Sequence, residues 1–340
     1  SWTARRVERW WMVQNELDFD TAVQTCVVEC PEPGLYQGID FKTYAAWRAV
    51  NSGVLKWGQI SPKHFHAAVN GLLPSEDTAS KKLGRAIHCY ILERDRYESE
   101  FNIVGECMAL KDGKRKADTP SKCTNPAKYV AEDGAHYCGV HCPDDQELDF
   151  SREIITESQH HQCVRVASAL KEHPAMRWLK RKGYSETSIV WDYRGIRMKG
   201  RLDRISMDHR TVLDLKKIRV GYGTTDRCQR QAYDLGYHIQ AAGYVEGVNR
   251  LTGNPPEFLW IFVEESEPYD VQVIQAGEQD LAIGLHEIKT TLDRYIAARD
   301  ANELYGYVRV FQDGDEQSTN IHPGILPLWV LRDYQKAGVI

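Results

Sequence analysis

Asp203, Asp214 and Lys216 fall within the stretch MKGRLDRISMDHRTVLDLKK, residues 198–217, and two carboxylates followed by a lysine are the side chains from which a metal-assisted hydrolytic site can be made. Residues 196–206 and 211–218 are rich in Ile, Leu, Val, Met and Thr, and MDHR between them carries turn chemistry, so the segment is expected to form a β-hairpin. A two- or four-residue connection around Asp208 and His209 pairs residues whose numbers total 417. That register sets Asp203 opposite Asp214, about 5 Å apart. Lys216 lies two residues beyond Asp214 and shares its face. Facing carboxylates destabilise a sheet unless something compensates them, and a hard divalent cation held by oxygen ligands does so best. Taken alone, the pattern also allows two solvated strand-edge charges.

A second group of candidate ligands lies upstream. The stretch between Cys107 and Cys142 is polar, rich in Lys and Gly, and poor in core-forming residues, so burial alone cannot fold it. It holds Cys107, Cys123, Cys138 and His141, with Cys142 to spare. Three thiolates and an imidazole match structural Zn2+, whose binding energy folds modules too small for a core. Residues 105–145 are therefore expected to be a zinc-binding insertion. The cysteine total is an odd nine and nothing points to secretion, which argues against a disulfide framework.

Around these residues the sequence resembles a known superfamily. GRLD, about ten residues and then DLK have the spacing of the PD-(D/E)XK nuclease core. The following segment, QRQAYDLGYHIQAAGYVEGV, reads as a helix with Tyr233, Tyr237, Gln240 and Tyr244 on one face, and its Gln-x-x-x-Tyr resembles the RecB-like and RecE-like branches. VNSGVLKW and SPKHF in residues 34–69 resemble the leading segment of RecE-type exonuclease domains. LGRAIHCYILERDRY resembles the helix that carries a histidine metal ligand in that family, here His88. The chain differs at Lys217, where the family usually has Thr after the lysine. KCTNPA and YCGVH are similar to small Cys3His zinc modules of nucleic-acid enzymes.

The resemblance implies an α/β fold, a PD-(D/E)XK restriction-endonuclease-like core with a mixed central sheet flanked by helices and a small zinc-module insertion. It runs from residue 34 to the end of the chain, after an N-terminal extension at 1–33. It implies that Asp203, Asp214, the Leu215 carbonyl and His88 bind Mg2+ (or Mn2+). Lys216 would orient or help deprotonate the attacking water, and Gln240 and Tyr244 would shape the site.

Composition constrains the surroundings of this site. With 48 acidic against 43 basic residues the formal charge is −5, so any nucleic-acid surface must be local. Candidates are KKLGR at 81–85, RWLKRK at 177–182 and KKIRV at 216–220. FLWIFV and LPLWVL are strand-sized, and no signal peptide is legible, so a cytoplasmic protein is expected, and the resemblance implies a bacterial or phage-encoded one. PDDQELDF, residues 143–150, reads as a linker back to the core.

The implied activity is ATP-independent digestion of the 5′ strand of linear double-stranded DNA, leaving 3′ single-stranded tails for recombination. The absence of a G-x-x-x-x-G-K-[ST] loop removes a motor as the means of staying on DNA. A homo-oligomeric toroid, a tetramer in the resembling family, is expected instead, with a single-strand annealing protein as partner. Two other readings stay open: a different PD-(D/E)XK nuclease, either an endonuclease or a Cas4-like trimmer of single strands, and a non-catalytic nucleic-acid binding protein.

Overall fold

β1 (Gly34–Tyr36), α1 (Phe41–Ala46), α2 (Ser52–Ile60), α3 (Pro62–Val69) and α4 (Ala79–Leu92) open the chain in a computed structural model. It describes residues 29–73, 78–108, 110–111, 121–123, 125, 127–131, 134–138, 140–141, 151–193 and 195–307. A 3-10 turn and α5 (Tyr97–Glu100) lead to β2 (Phe101–Val104). The two-residue strands β3 (Leu110–Lys111), β4 (Ser121–Lys122), β5 (Tyr129–Val130) and β6 (His136–Tyr137) follow, then β7 (Glu153–Thr156), α6 (Glu157–Glu172) and α7 (Met176–Leu179). The segment that carries Asp203, Asp214 and Lys216 follows as β8 (Gly183–Tyr193), β9 (Ile196–Ser206) and β10 (Thr211–Ile218). The remainder is α8 (Thr225–Asp234), α9 (Tyr237–Thr252), β11 (Glu257–Glu264), β12 (Val271–Gln275) and α10 (Glu278–Asp300). The expected 1–33 extension falls almost wholly outside the described residues, as do the linker at 143–150, Cys142 and LPLWVL.

The central sheet has the order β1-β8-β9-β10-β11-β12. All its pairings are antiparallel except β10 with β11, so the sheet is mixed. Period-two alternation divides its side chains between two helical layers. Val212, Ile218, Phe258, Trp260 and Phe262 face Ile239, Tyr244, Val248, Ile288 and Leu292 of α9 and α10. Leu213, Leu215, Leu259, Ile261 and Val263 face Leu83, Ile87, Val166 and Leu170 of α4 and α6. Because β11 is covered on both sides, it reads as the continuous apolar run FLWIFV. The α/β architecture is the expected one.

Local chemistry fixes the helix that matters most on each side. Thr78 caps α4 by accepting from Lys81 N–H, and Thr156 with Gln159 forms a capping box on α6. The expected single helix over residues 229–248 is instead two. Gly236 lies in the left-handed region at φ 67°, ends α8 and starts α9, so Tyr233 leaves the face of Tyr237, Gln240 and Tyr244 and stacks on His238.

The hairpin keeps its register but not its full length. Val212 pairs with Ile205 and Leu213 with Arg204, both totalling 417, across a connection at residues 207–210. The ladder then stops one pair short of Asp203 and Asp214. The Asp203 carboxylate itself accepts the Leu215 N–H, 2.6 Å away, so a side chain takes the place of the next ladder partner.

Candidate active site

Asp203 on β9 is held by two other elements. Its Oδ2 lies 3.4 Å from His88 Nδ1 on α4 as well as 2.6 Å from Leu215 N on β10. His88 Nε2 is 2.9 Å from the Leu215 carbonyl oxygen, so the imidazole bridges the carboxylate and the carbonyl expected to share a metal. α4 presents His88 here because Leu83, Ala86 and Ile87 bury its apolar stripe against the sheet. Lys217, the departure from the family pattern, ties down the same helix: its ammonium bonds Ser80 Oγ near the α4 N-terminus (2.9 Å) and pairs with Glu265.

On the other side of Asp203 stands an acid not singled out in the sequence. β8 and β9 pair with numbers totalling 389, Ser185 with Arg204 and Thr187 with Leu202, which puts Glu186 directly across from Asp203. Residues facing α9 are Tyr184, then Ile189 and Trp191 in β8, and Met198 and Leu202, then Ile205 in β9. Alternation therefore slips by one residue in both strands at this position, and Glu186 takes φ 49°. Arg201 Nε holds Glu186 Oε2 at 2.6 Å. One ligand atom from each of His88, Glu186 and Asp203 comes within 4.8 Å of the others. The same counting applied to Arg194 and Gly195 as a two-residue turn would have found Glu186 from sequence.

Asp214 occupies the opposite, α9-facing side of β10. Its side chain is 1% exposed, and Lys216 Nζ lies 2.7 Å from Oδ2. Oδ1 has no hydrogen-bond partner among the described residues. A buried carboxylate with unmet acceptor capacity suits a cation. Lys216 also donates to Gln240 Oε1 (3.0 Å) and sits 4.6 Å above the Tyr237 ring. Gln240 Nε2 donates to Tyr244 OH (3.1 Å), and Tyr244 OH accepts Arg201 N–H (3.4 Å). Lys216, Gln240 and Tyr244 thus form one chain. Gly200 leaves room for it, since a Cβ there would lie 2.6 Å from Tyr244 Cε1.

Proton affinities follow from this crowding. Burial pushes Asp214 up to about 6, with Lys216 opposing and Asp203 adding to the rise. Burial would lower His88, but the Asp203 charge and hydrogen bond outweigh it and bring the imidazole up to about 9. Burial and Asp203 raise Glu186. Asp203 resists burial and falls below the usual carboxylate range because His88, Lys216 and the Leu215 N–H all favour its charge. Hard oxygen donors plus one imidazole fit a Mg2+- or Mn2+-type ion.

The insertion leaves after β2 and returns at β7, which pair in parallel. Cys107, Cys123 and Cys138 are buried together, and with His141 they offer ligand atoms all within 4.8 Å of one another. Cys107 Sγ and Cys138 Sγ lie 3.7 and 3.4 Å from His141 Nδ1. Tetrahedral zinc with ordinary bond lengths would separate sulfur from nitrogen by about 3.6 Å. Asn125 donates its backbone N–H to Cys123 Sγ and its amide to Cys138 Sγ. Backbone N–H groups of Val140 and His141 bring the Cys138 thiol down to about 6. The donor set fits zinc, and the wide Cys107–Cys123 spacing is no obstacle because Cys107 N–H bonds the Asn125 carbonyl (2.9 Å).

No curated protein matches the chain. A candidate exonuclease from Eubacterium rectale superposes with a TM-score of 0.49 at 13% identity, over 87% of this chain and 98% of that one. A phage-related exonuclease from Haemophilus somnus 129PT gives 0.27 at 16% identity, over 40% of this chain and 69% of that one. Residues 51–305 match the model of the PDDEXK-like domain of unknown function (DUF3799), and the chain belongs to that family.

Proposed function

We propose that the chain is a metal-dependent deoxyribonuclease that hydrolyses phosphodiester bonds. The observation that carries this reading is the convergence of His88, Glu186 and Asp203 beside the buried Asp214–Lys216 pair. Asp203, Asp214, the Leu215 carbonyl and His88 would hold Mg2+ (or Mn2+), with Glu186 completing the acidic set. When bound, the ion polarises the phosphoryl group and lowers the pKa of water. Lys216, held as an ammonium beside Asp214, would orient the attacking water, and its charge keeps the neighbouring carboxylates ionised. Gln240 fixes the Lys216 ammonium and Tyr244 fixes Gln240, so both act as positioning residues. As water oxygen bonds to phosphorus its proton passes to solvent, the bond to the leaving oxygen breaks, and that oxygen takes a proton from solvent. The Cys3His centre would hold a structural Zn2+ that folds the insertion.

The substrate in this reading is linear double-stranded DNA, digested along the 5′ strand without ATP to leave 3′ tails for an annealing protein. A homo-oligomeric toroid, a tetramer, would keep a net-acidic chain on its track. No helix among the described residues is long and apolar enough to cross a membrane. Digestion of linear duplex labelled at either end, beside closed circular duplex, tests these points. Loss of the 5′ label first, with the circle intact, is expected; rapid nicking of the circle would favour an endonuclease, and release of the 3′ label first would reverse the polarity.

A further inference from the structure

Three basic stretches stand out in the sequence, and the fold treats them differently. In the first, Arg85 pairs with Glu153. In the third, Lys216 pairs with Asp214 and Lys217 with Glu265. The second, residues 177–182, is gathered with the tip of the β9–β10 hairpin. Arg204 Nη2 donates to the Arg181 carbonyl (2.5 Å), Arg181 Nη1 to Thr211 Oγ1 (3.3 Å), and Met207 N–H to the Lys182 carbonyl (2.9 Å). Arg177, Lys180, Arg181, Lys182, Arg204 and Arg210 thereby share one region, and none of the six forms an ion pair among the described residues. Asp208 is the only acid in residues 176–182 and 204–211; its carboxylate is engaged by Ser206 Oγ (2.5 Å) and Arg210 N–H (3.2 Å) and feels the Arg181 charge, while Glu257 borders the patch opposite Thr211. Six cations with one acid among them gather positive charge locally in a chain of net charge −5.

We propose that this patch is a sequence-independent binding surface for the phosphate backbone of double-stranded DNA, placing the duplex for cleavage beside it. The proposal rests on the nuclease reading above. Charge complementarity names the occupant. The patch offers charge rather than stacking, because the Trp178 ring is already engaged by Arg177 (5.2 Å) and Arg181 (5.0 Å). Its position fits as well: Ser185, Arg204 and Leu213 each adjoin a candidate site acid, Glu186, Asp203 and Asp214 respectively. At about 3.3 Å per strand residue, Thr211 at the head of β10 is roughly 10 Å from Asp214. That is about three nucleotide steps at 3.4 Å each.

The test measures binding of a fluorescent 30-base-pair duplex to the full chain in EDTA, where no hydrolysis enters, across a range of salt. Arg177, Lys180 and Lys182 are exposed, so Arg177→Ala/Lys180→Ala/Lys182→Ala removes charge with little effect on folding. Each lost phosphate contact is expected to lower the slope of log affinity against log salt by about 0.9, so the triple variant should lose roughly 2–3 in slope and weaken binding at least about tenfold. Lys42→Ala/Lys63→Ala/Lys289→Ala removes the same charge elsewhere and should change the slope little. An unchanged slope in the first variant, or an equal fall in both, would overturn the proposal. A wild-type protein that binds through the patch but cuts nothing would overturn the nuclease reading alone, whereas cutting with an unmoved slope would overturn this one alone.

Discussion

Glu186 stands directly across the sheet from Asp203, and it does so in a left-handed backbone conformation, φ 49°. A non-glycine residue there carries about 1–3 kcal/mol of strain, which persists only where surrounding contacts impose it. Arg201, 9% exposed at its side chain, imposes it through the 2.6 Å pair with Glu186 while donating to the Ile39 carbonyl (2.8 Å). Two acids and an imidazole are thus forced together.

Glu186→Gln keeps the size of the side chain and a hydrogen bond to Arg201 but removes the charge. Hydrolysis is expected to fall by at least about 10- to 100-fold, as it does even for outer partners of metal ligands. The apparent Mn2+ affinity should fall with it, while the metal-free melting temperature changes little. Titration calorimetry beside a nuclease assay checks this; unchanged metal affinity would remove Glu186 from the site.

Without metal, His88 makes stability depend on pH. Its folded pKa, about 9, exceeds the ordinary imidazole value, so its contribution is full below about 6.5 and is lost as pH rises through 9. The loss is at most about 3 kcal/mol. Melting in EDTA should show this slope in the wild type and a much smaller one in His88→Asn. Metal affinity should rise over the same window, since a ligating imidazole must first give up its proton.

Gly200→Ala tests the chain of positioning residues. The new methyl would meet Tyr244 Cε1 at 2.6 Å, displacing the ring and loosening Gln240 and Lys216. Overpacking of this kind costs about 1–3 kcal/mol. Activity should drop by more than the fraction unfolded, a comparison made by assaying at a temperature where circular dichroism reports a folded protein.

Lys199 offers a structural contrast. Its buried ammonium donates to the carbonyls of Tyr44 (2.9 Å), Ala45 (3.1 Å) and Trp47 (2.7 Å), closing the end of α1 onto β9. Lys199→Met leaves those carbonyls short of partners at about 1–3 kcal/mol each where they stay buried. A lower denaturant midpoint with undiminished activity per folded molecule is expected.

For the insertion, about one tightly held zinc per chain is expected. Cys138→Ser should lose it and unfold the insertion with little change in the sheet, whereas elemental analysis showing iron, or no metal, would reject the centre.

Much of this site was legible because strand registers are countable. Val212 with Ile205 and Leu213 with Arg204 follow from the turn chemistry of residues 207–210, and Asp214 and Lys216 share a face by alternation alone. Glu186 was missed although the register was equally countable, because the slip in alternation around it hides which way an acid among Ser and Thr points. The break at Gly236 was missed for a different reason: an unbroken polar-aromatic spacing masked a glycine whose left-handed backbone ends one helix and begins the next. His88 came from resemblance rather than pattern, since one histidine on a helix does not announce the strand it will meet.

The most direct test of the central claim is release of nucleotides from linear duplex DNA by the wild type and by Asp214→Asn, each with Mg2+ and with EDTA. The account expects hydrolysis only by the wild type with metal, and an Asp214→Asn protein that folds and is inactive. Hydrolysis persisting in EDTA, or undiminished in Asp214→Asn, would contradict it.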